Sequence, residues 1–486
     1  MATVSEMLDS APASRFHRRA VVISGMGFFT DAYDLFVIGT VATLVATQWH
    51  LSTNQKSVVS SAAVLGAFVG AFVFGRIADV LGRKRVYTLV AAIMIVGALS
   101  SAFSTGLTWL VVSRFVLGLG IGGDYPVSAV LMSEYANRND RGRMVGLVFS
   151  MQALGLIVGP LVGLVLISAG IGHDLTWRLM LGFGAVPAAA VIWLRAKMPE
   201  SPRFQEQVQG QAARAAGQLA VFSEGVVSGA GVQASDAAPQ RLRLGRFLTD
   251  RRMLKVLLGT AGSWFLLDYA LYGNTLSLPA ILKDVAPKAS LTTTLAWTLG
   301  IFVVFALPGY VMALSTMDRI GHRKLQQIGF AVMAACFLAL GVIPGLTTVV
   351  VPFLLVFGLS YFFTEFGPNT TTFVLPSELF PVSQRTTGHG IAAGIGKLGA
   401  FIGVFLVPHL DKSIGLRGML LVAGGSAVAG YLLTLLLPEP ARRSLDELSA
   451  NVIPLPVPIA PTMVPTAASA ELENESQPAA VGAGLA

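Results

Sequence analysis

Gly75-Arg-Ile-Ala-Asp79-Val-Leu-Gly82-Arg83-Lys84-Arg85 and Ser315-Thr-Met-Asp318-Arg319-Ile-Gly321-His-Arg323-Lys324 carry the same pattern, Asp-x-x-Gly-x-(Arg/Lys). Each follows a long apolar stretch and precedes another. Each falls at the same point in one half of the chain. A single copy reads as a tight basic turn. Two copies in register indicate a duplicated bundle, with Asp79, Arg83, Asp318 and Arg323 as conformational gate residues that pair in one conformation only.

The surrounding composition suits a membrane. Of 486 residues, 54% are hydrophobic and 12% charged, where soluble domains carry roughly 25% charged. Mean hydropathy is +0.69. Twelve spans are expected, at 20–47, 57–77, 86–104, 107–135, 142–168, 176–197, 254–282, 292–316, 325–345, 348–378, 384–411 and 416–437. The expected fold class is an all-α membrane protein with two pseudo-symmetric six-helix bundles, 20–197 and 253–437. A cytoplasmic arm (1–19), a cytoplasmic linker (198–252) rich in glycine and a disordered cytoplasmic tail (438–486) complete the division. The first span is too long for a removed leader.

Charge sets the orientation. Of 34 Lys and Arg residues, Lys56, Arg178, Lys283, Lys288, Lys412 and Arg417 lie on the side opposite the N-terminus. Arg114 and Lys397 fall within spans, and all others share the N-terminal side. This bias places both termini and the linker in the cytoplasm, with a plasma membrane (a bacterial inner membrane) as the expected setting. The net charge of +8 is therefore topology and no nucleic-acid footprint. One cysteine, six scattered histidines and no phosphate-binding lysine motif argue against a disulfide, a metal site, a cofactor, ATP hydrolysis or any enzymatic activity. Gly118, Gly120 and Gly123 match a dinucleotide pattern by chance, since no strand precedes them. No obligatory protein partner is evident.

The informative residues are polar ones at bilayer depth. A carboxylate there costs about 2.5–3.5 kcal/mol on insertion scales, yet Asp31, Asp34, Asp124 and Asp268 all lie inside spans. Asp31 and Asp34 share a helix face, with Arg114 as the nearest candidate partner. Asp124-Tyr125-Pro126 marks a bend. Gln152 stands in an apolar run. Trp264, Asp268 and Tyr272 form one stripe over two turns, odd for core and suited to a ligand. Gly367-Pro368-Asn369 breaks the tenth span, and Lys397 in the eleventh needs an anion.

The repeated loop resembles the major facilitator superfamily. Gly27-Phe-Phe-Thr-Asp31-Ala-Tyr-Asp34, Gly122-Gly-Asp124-Tyr-Pro-Val-Ser-Ala129, Met132-Ser-Glu-Tyr-Ala-Asn137, Trp264-x3-Asp268-x3-Tyr272, Phe366-Gly-Pro-Asn-Thr-Thr-Thr-Phe373 and His389-Gly-Ile-x4-Gly-Lys397 resemble its phosphate:proton symporter family. The resemblance implies import of inorganic phosphate with protons. Phosphate contacts would be Tyr125, Gln152, Trp264, Asp268, Tyr272, Asn369 and Lys397. Proton coupling would fall to Asp31, Asp34 and Asp124, with Arg114 as ionic partner. Glu365 stands where the family pattern leads us to expect Asn. That departure keeps open a proton-coupled carrier of another small metabolite, such as an organic anion.

Overall fold

The computed structural model describes residues 3–223 and 248–452, and every regular element among them is helical. The first six spans are Arg15–Gln48, Thr53–Leu81, Arg83–Ala102, Leu107–Tyr135, Arg141–Ser168 and His173–Lys197. The seventh is Arg251–Val285. The eighth to tenth are Leu291–Ile320, His322–Val342 and Val350–Leu379. The last two run as one helix, Arg385–Thr434, broken at Gly415 (φ 71°). The outward faces of the spans keep large apolar side chains such as Leu89, Val96, Val304 and Leu355 exposed, as a lipid-facing surface requires.

Small residues let the helices approach closely. A Cβ on Gly66, Gly118 or Gly122 would strike backbone of the facing helix, so spans 2 and 4 pack backbone to backbone. Gly399 and Gly403 do the same for spans 11 and 7. The two repeated loops turn identically. Gly82 (φ 99°) and Gly321 (φ 100°) occupy the left-handed region, which glycine enters without strain.

The segments flanking the spans are more ordered than the sequence suggests. A helix at Val4–Ser10 closes the arm, with a capping box from Thr3 and Glu6. The linker begins with helices at Pro202–Gln207 and Ala212–Phe222. Leu445–Val452 is helical where a disordered tail was expected. These pieces dock on one another. Asp9 pairs with Arg141 (2.8 Å) and Arg203 (2.7 Å), and Arg141 also donates to the Arg443 carbonyl (3.0 Å). Two arginines draw the arm down, an anchor that composition alone does not reveal. The rest of the expected linker and tail lies outside the described residues.

Candidate functional site

The stripe on span 7 faces inward as its spacing requires. Lys397 on span 11 donates to Asp268 Oδ2 (2.9 Å) and to the Tyr272 hydroxyl (2.9 Å). Its ammonium also lies 4.5 Å from the Tyr125 ring centroid and 4.3 Å from that of Tyr272. The two phenols, one from each half, stand 3.4 Å apart. Gly396 leaves room for the Trp264 indole, which a Cβ there would strike. All five side chains are buried, and Asp268 Oδ1 has no hydrogen-bond partner. Buried polar atoms are almost always satisfied. An open carboxylate oxygen beside a lysine is therefore an acceptor held for a donor that brings its own charge.

Gln152 and Asn369 make no hydrogen bond to this cluster among the described residues. Gln152 opens the second half of span 5, directly after the bend at Met151, and its Oε1 also lacks a partner. Asn369 lies in a π-helical turn at Glu365–Asn369, widened by Pro368. Its amide donates to the Tyr310 hydroxyl (2.9 Å) and to Glu365 Oε2 (2.5 Å). The departure at Glu365 thus occupies the amide that the resemblance assigns to the anion.

In the first half, Asp31 and Asp34 are buried, and none of their four carboxylate oxygens has a hydrogen-bond partner. Asp34 presses on Gly184 of span 6, where no Cβ fits. The expected ionic partner behaves differently: Arg114 donates to the Asp34 main-chain carbonyl and not to a carboxylate oxygen. Asp124 takes its cation from elsewhere. Arg195 grips it with Nη1 at 2.7 Å and Nη2 at 3.0 Å, stacks 4.1 Å from the Tyr87 centroid, and fills the space that Gly27 leaves open. By sequence Arg195 counts among the cytoplasmic basic residues. Span 6 runs to Lys197, however, and turns Arg195 into the bundle.

The four residues expected to gate lie at the seam between the halves, at the two repeated loops. Asp79 pairs with Arg83 (3.0 Å) and accepts from the Thr387 amide (2.7 Å) and hydroxyl (2.6 Å) at the start of span 11. Asp318 accepts from the Arg143 amide (3.1 Å) at the start of span 5. Its side-chain partner is His322 (3.2 Å), not Arg323, which instead donates to the Leu435 carbonyl (3.2 Å). Helix geometry explains the correction, because residue i+4 from Asp318 is 322, just as Arg83 is i+4 from Asp79. Two further carboxylates were missed. Glu200 accepts from the amides of Arg83 (3.2 Å) and Lys84 (3.3 Å), and Glu439 from those of His322 (2.8 Å) and Arg323 (3.0 Å). A repeated Pro-Glu at 199–200 and 438–439, after the last span of each half, was the available signal.

Two bundles of helices closing on a buried, charged, ligand-sized cluster, with locks repeated in each half, define a secondary carrier. The sequence profile of the sugar (and other) transporter family matches residues 20–451. Curated relatives include inorganic phosphate transporter 1-6 of Oryza sativa (36% identical, covering 92% of this chain and 95% of that one). Another is low affinity inorganic phosphate transporter 8 of Medicago truncatula (36%, 92% and 93%). Among solved structures, a proton:xylose symporter bound to 6-bromo-6-deoxy-D-glucose superposes with a TM-score of 0.79 at 21% identity, covering 90% of this chain and 99% of that one. An inward-open xylose transporter from E. coli gives 0.65 at 21%, covering 88% and 98%. The chain belongs to the sugar (and other) transporter family of the major facilitator superfamily, among the inorganic phosphate transporters. It is a multi-pass membrane transporter with the all-helical fold of that superfamily.

Proposed function

We propose that the chain imports inorganic phosphate together with protons by alternating access, and that the Asp268–Lys397–Tyr272–Tyr125 cluster binds the anion. The observation that carries the reading is the arrangement at Asp268, one oxygen on Lys397 and the other without a partner. Monobasic phosphate supplies what both groups want: a negative oxygen for Lys397 and a hydroxyl for Asp268 Oδ1. Sulfate has no proton to give near neutral pH and meets a carboxylate instead. The phenols of Tyr125 and Tyr272 and the Trp264 N–H add donors. Gln152 and Asn369 join when the halves shift, Asn369 by leaving Glu365.

The proton route is Asp31, Asp34 and Asp124. Asp31 and Asp34 have no partner at any carboxylate oxygen, so either can take up or release a proton without breaking a contact. Arg114 is the nearest cation to Asp34. The Asp79 and Asp318 locks hold the cytoplasmic side shut until the loaded site favours opening. Both termini and the linker lie in the cytoplasm and the membrane is a plasma membrane, a bacterial inner one, a placement supported by the Lys and Arg bias. Uptake of radiolabelled phosphate into proteoliposomes under an imposed pH gradient tests the reading. Uptake that unlabelled phosphate competes away, and that collapses with the gradient, is expected. The absence of such uptake overturns it.

A further inference from the structure

A cavity of about 260 Å³ opens in the seam between the halves, on the face opposite the gate loops. Its walls come from the outer ends of spans 1, 2, 7 and 11. Lys56 and Lys412 line it, with Ser52, Thr53, Ser57 and Asp411 among the polar groups. It lies above the charged cluster. Leu276 on its wall is one turn from Tyr272, and Val404 is two turns from Lys397. Two contacts close the floor. The Phe36 and Tyr272 rings stack with centroids 4.9 Å apart, and Gly39 abuts the Leu276 carbonyl, where a Cβ would sit at 3.0 Å. Two hydrogen bonds tie the halves at the rim, from Lys412 to the Thr53 hydroxyl (2.7 Å) and between His409 and Asn54 (2.8 Å).

Lys56 is half-buried; its amide donates to the Ser52 carbonyl (2.9 Å), but among the described residues its ammonium makes no hydrogen bond or ion pair. An ammonium partly withdrawn from water without a partner is a poor structural element. The one carboxyl in the lining, Asp411, is engaged with Asp284 just outside it, so the acidic groups pair with each other and leave Lys56 without a counter-charge. We infer that this cavity is an antechamber that captures a tetrahedral oxyanion between Lys56 and Lys412 before it reaches the central cluster. The inference rests on the transport reading above. Recognition here is by the two ammonium groups, because the one lining carboxyl, Asp411, is already engaged with Asp284. Phosphate and sulfate therefore bind alike, and selection falls to Asp268 below. An anion that draws Lys412 to itself also takes it from Thr53 and loosens the outer rim.

The test uses purified, full-length protein. Inorganic phosphate, and sulfate equally, should slow acylation of Lys56 by an amine-reactive reagent, and Lys412→Gln should abolish that protection. This readout is independent of transport, so it holds or fails whatever the carried substrate proves to be. In proteoliposomes, Lys56→Gln/Lys412→Gln should raise the apparent KM for phosphate about three- to tenfold at low ionic strength, flatten its salt dependence and leave the maximal rate unchanged. Lys56→Arg/Lys412→Arg should retain a low KM. Thr53→Ala breaks the same rim bond without removing charge, and should leave KM in place. Lack of protection at Lys56, an unchanged KM with unchanged salt dependence, or a KM shift reproduced by Thr53→Ala would overturn the antechamber. Failure of wild-type uptake alongside intact protection would instead overturn the phosphate reading.

Discussion

Lys397→Gln, Asp268→Asn and the double substitution separate what the central ion pair does for the fold from what it does for the ligand. Lys397 and Asp268 meet at 2.9 Å with both side chains at 2% exposure or less. Removing one partner of a buried pair strands the other and costs about 3–5 kcal/mol. Lys397→Gln leaves Asp268 without its cation. Asp268→Asn leaves Lys397 with one hydroxyl and two aromatic faces, and such faces return about 0.5–2 kcal/mol. It should therefore be the milder of the two. The double variant keeps both shapes and removes both charges, and a neutral pair can be as stable as the ion pair. A double-mutant cycle on unfolding free energy should thus give a coupling larger than about 3 kcal/mol, because the double variant recovers the cost of both single ones. Phosphate uptake should behave otherwise. It should be lost in Lys397→Gln and equally lost in the double variant, because stability returns but the cation does not. Asp268→Asn alone should weaken phosphate binding by about 10- to 100-fold, the worth of one hydrogen bond to a charged group. Additive stability effects would show that the two residues do not act as a pair. Transport retained in the stable double variant would remove the cluster from the phosphate site.

Asp34→Asn should abolish proton-driven accumulation while sparing phosphate exchange, measured as counterflow in preloaded vesicles; accumulation that keeps its pH dependence would move coupling to Asp31. Arg195→Gln should strand Asp124 and destabilise the protein by about 3–5 kcal/mol in thermal unfolding, with Arg195→Lys recovering part because an ammonium cannot make the two-pronged contact. The N-terminal arm should stay docked until strongly acid pH. Burial pushes the Asp9 carboxyl up, but Arg203 and Arg141 more than offset it and hold it below its ordinary 3.8. A depressed carboxylate stabilises above the unfolded pKa and loses that contribution as pH falls through the folded one. Proteolysis of the arm should therefore rise only below about pH 4, and Asp9→Ala should expose it at neutral pH.

The spans were legible because membrane length and hydropathy are local properties, and the duplicated loop was legible because glycine and aspartate positions repeat. The Trp264–Asp268–Tyr272 face followed from helical spacing alone. The structure shows it meeting Lys397, a residue 125 positions beyond Tyr272. What the sequence hid was depth and partnership at helix ends. Arg195 lies two residues from the end of span 6 and reads as a cytoplasmic charge, yet the neighbouring spans bury it against Asp124. Arg114 reads as the partner of Asp34 because it is the only cation in the interior of the first six spans. The structure gives its donor to a main-chain carbonyl, which no side-chain pattern encodes. Order in the arm and tail rests on Asp9, Arg141 and Arg203, contacts spanning up to 194 positions that composition cannot show.

The degree to which each buried aspartate is satisfied sharpens the division of labour among them. Asp124 holds two bonds from Arg195 and one from the Ser128 hydroxyl at 3.2 Å. Its charge is matched by a group that does not give up its proton, so protonating it would break a two-pronged contact and strand the arginine. Asp268 is half satisfied, with one oxygen on Lys397 and one open. Asp31 and Asp34 have no partner at any oxygen. A proton carrier must exist in both forms without wrecking its surroundings, and only the unpartnered pair meets that condition in this closed arrangement. Asp124 then contributes as a fixed anion beside Asp31. On this argument the proton rides on Asp31 or Asp34, the anion on Lys397 and Asp268, and the Asp124–Arg195 pair tethers span 4 to span 6. That tether fixes the wall against which both are carried.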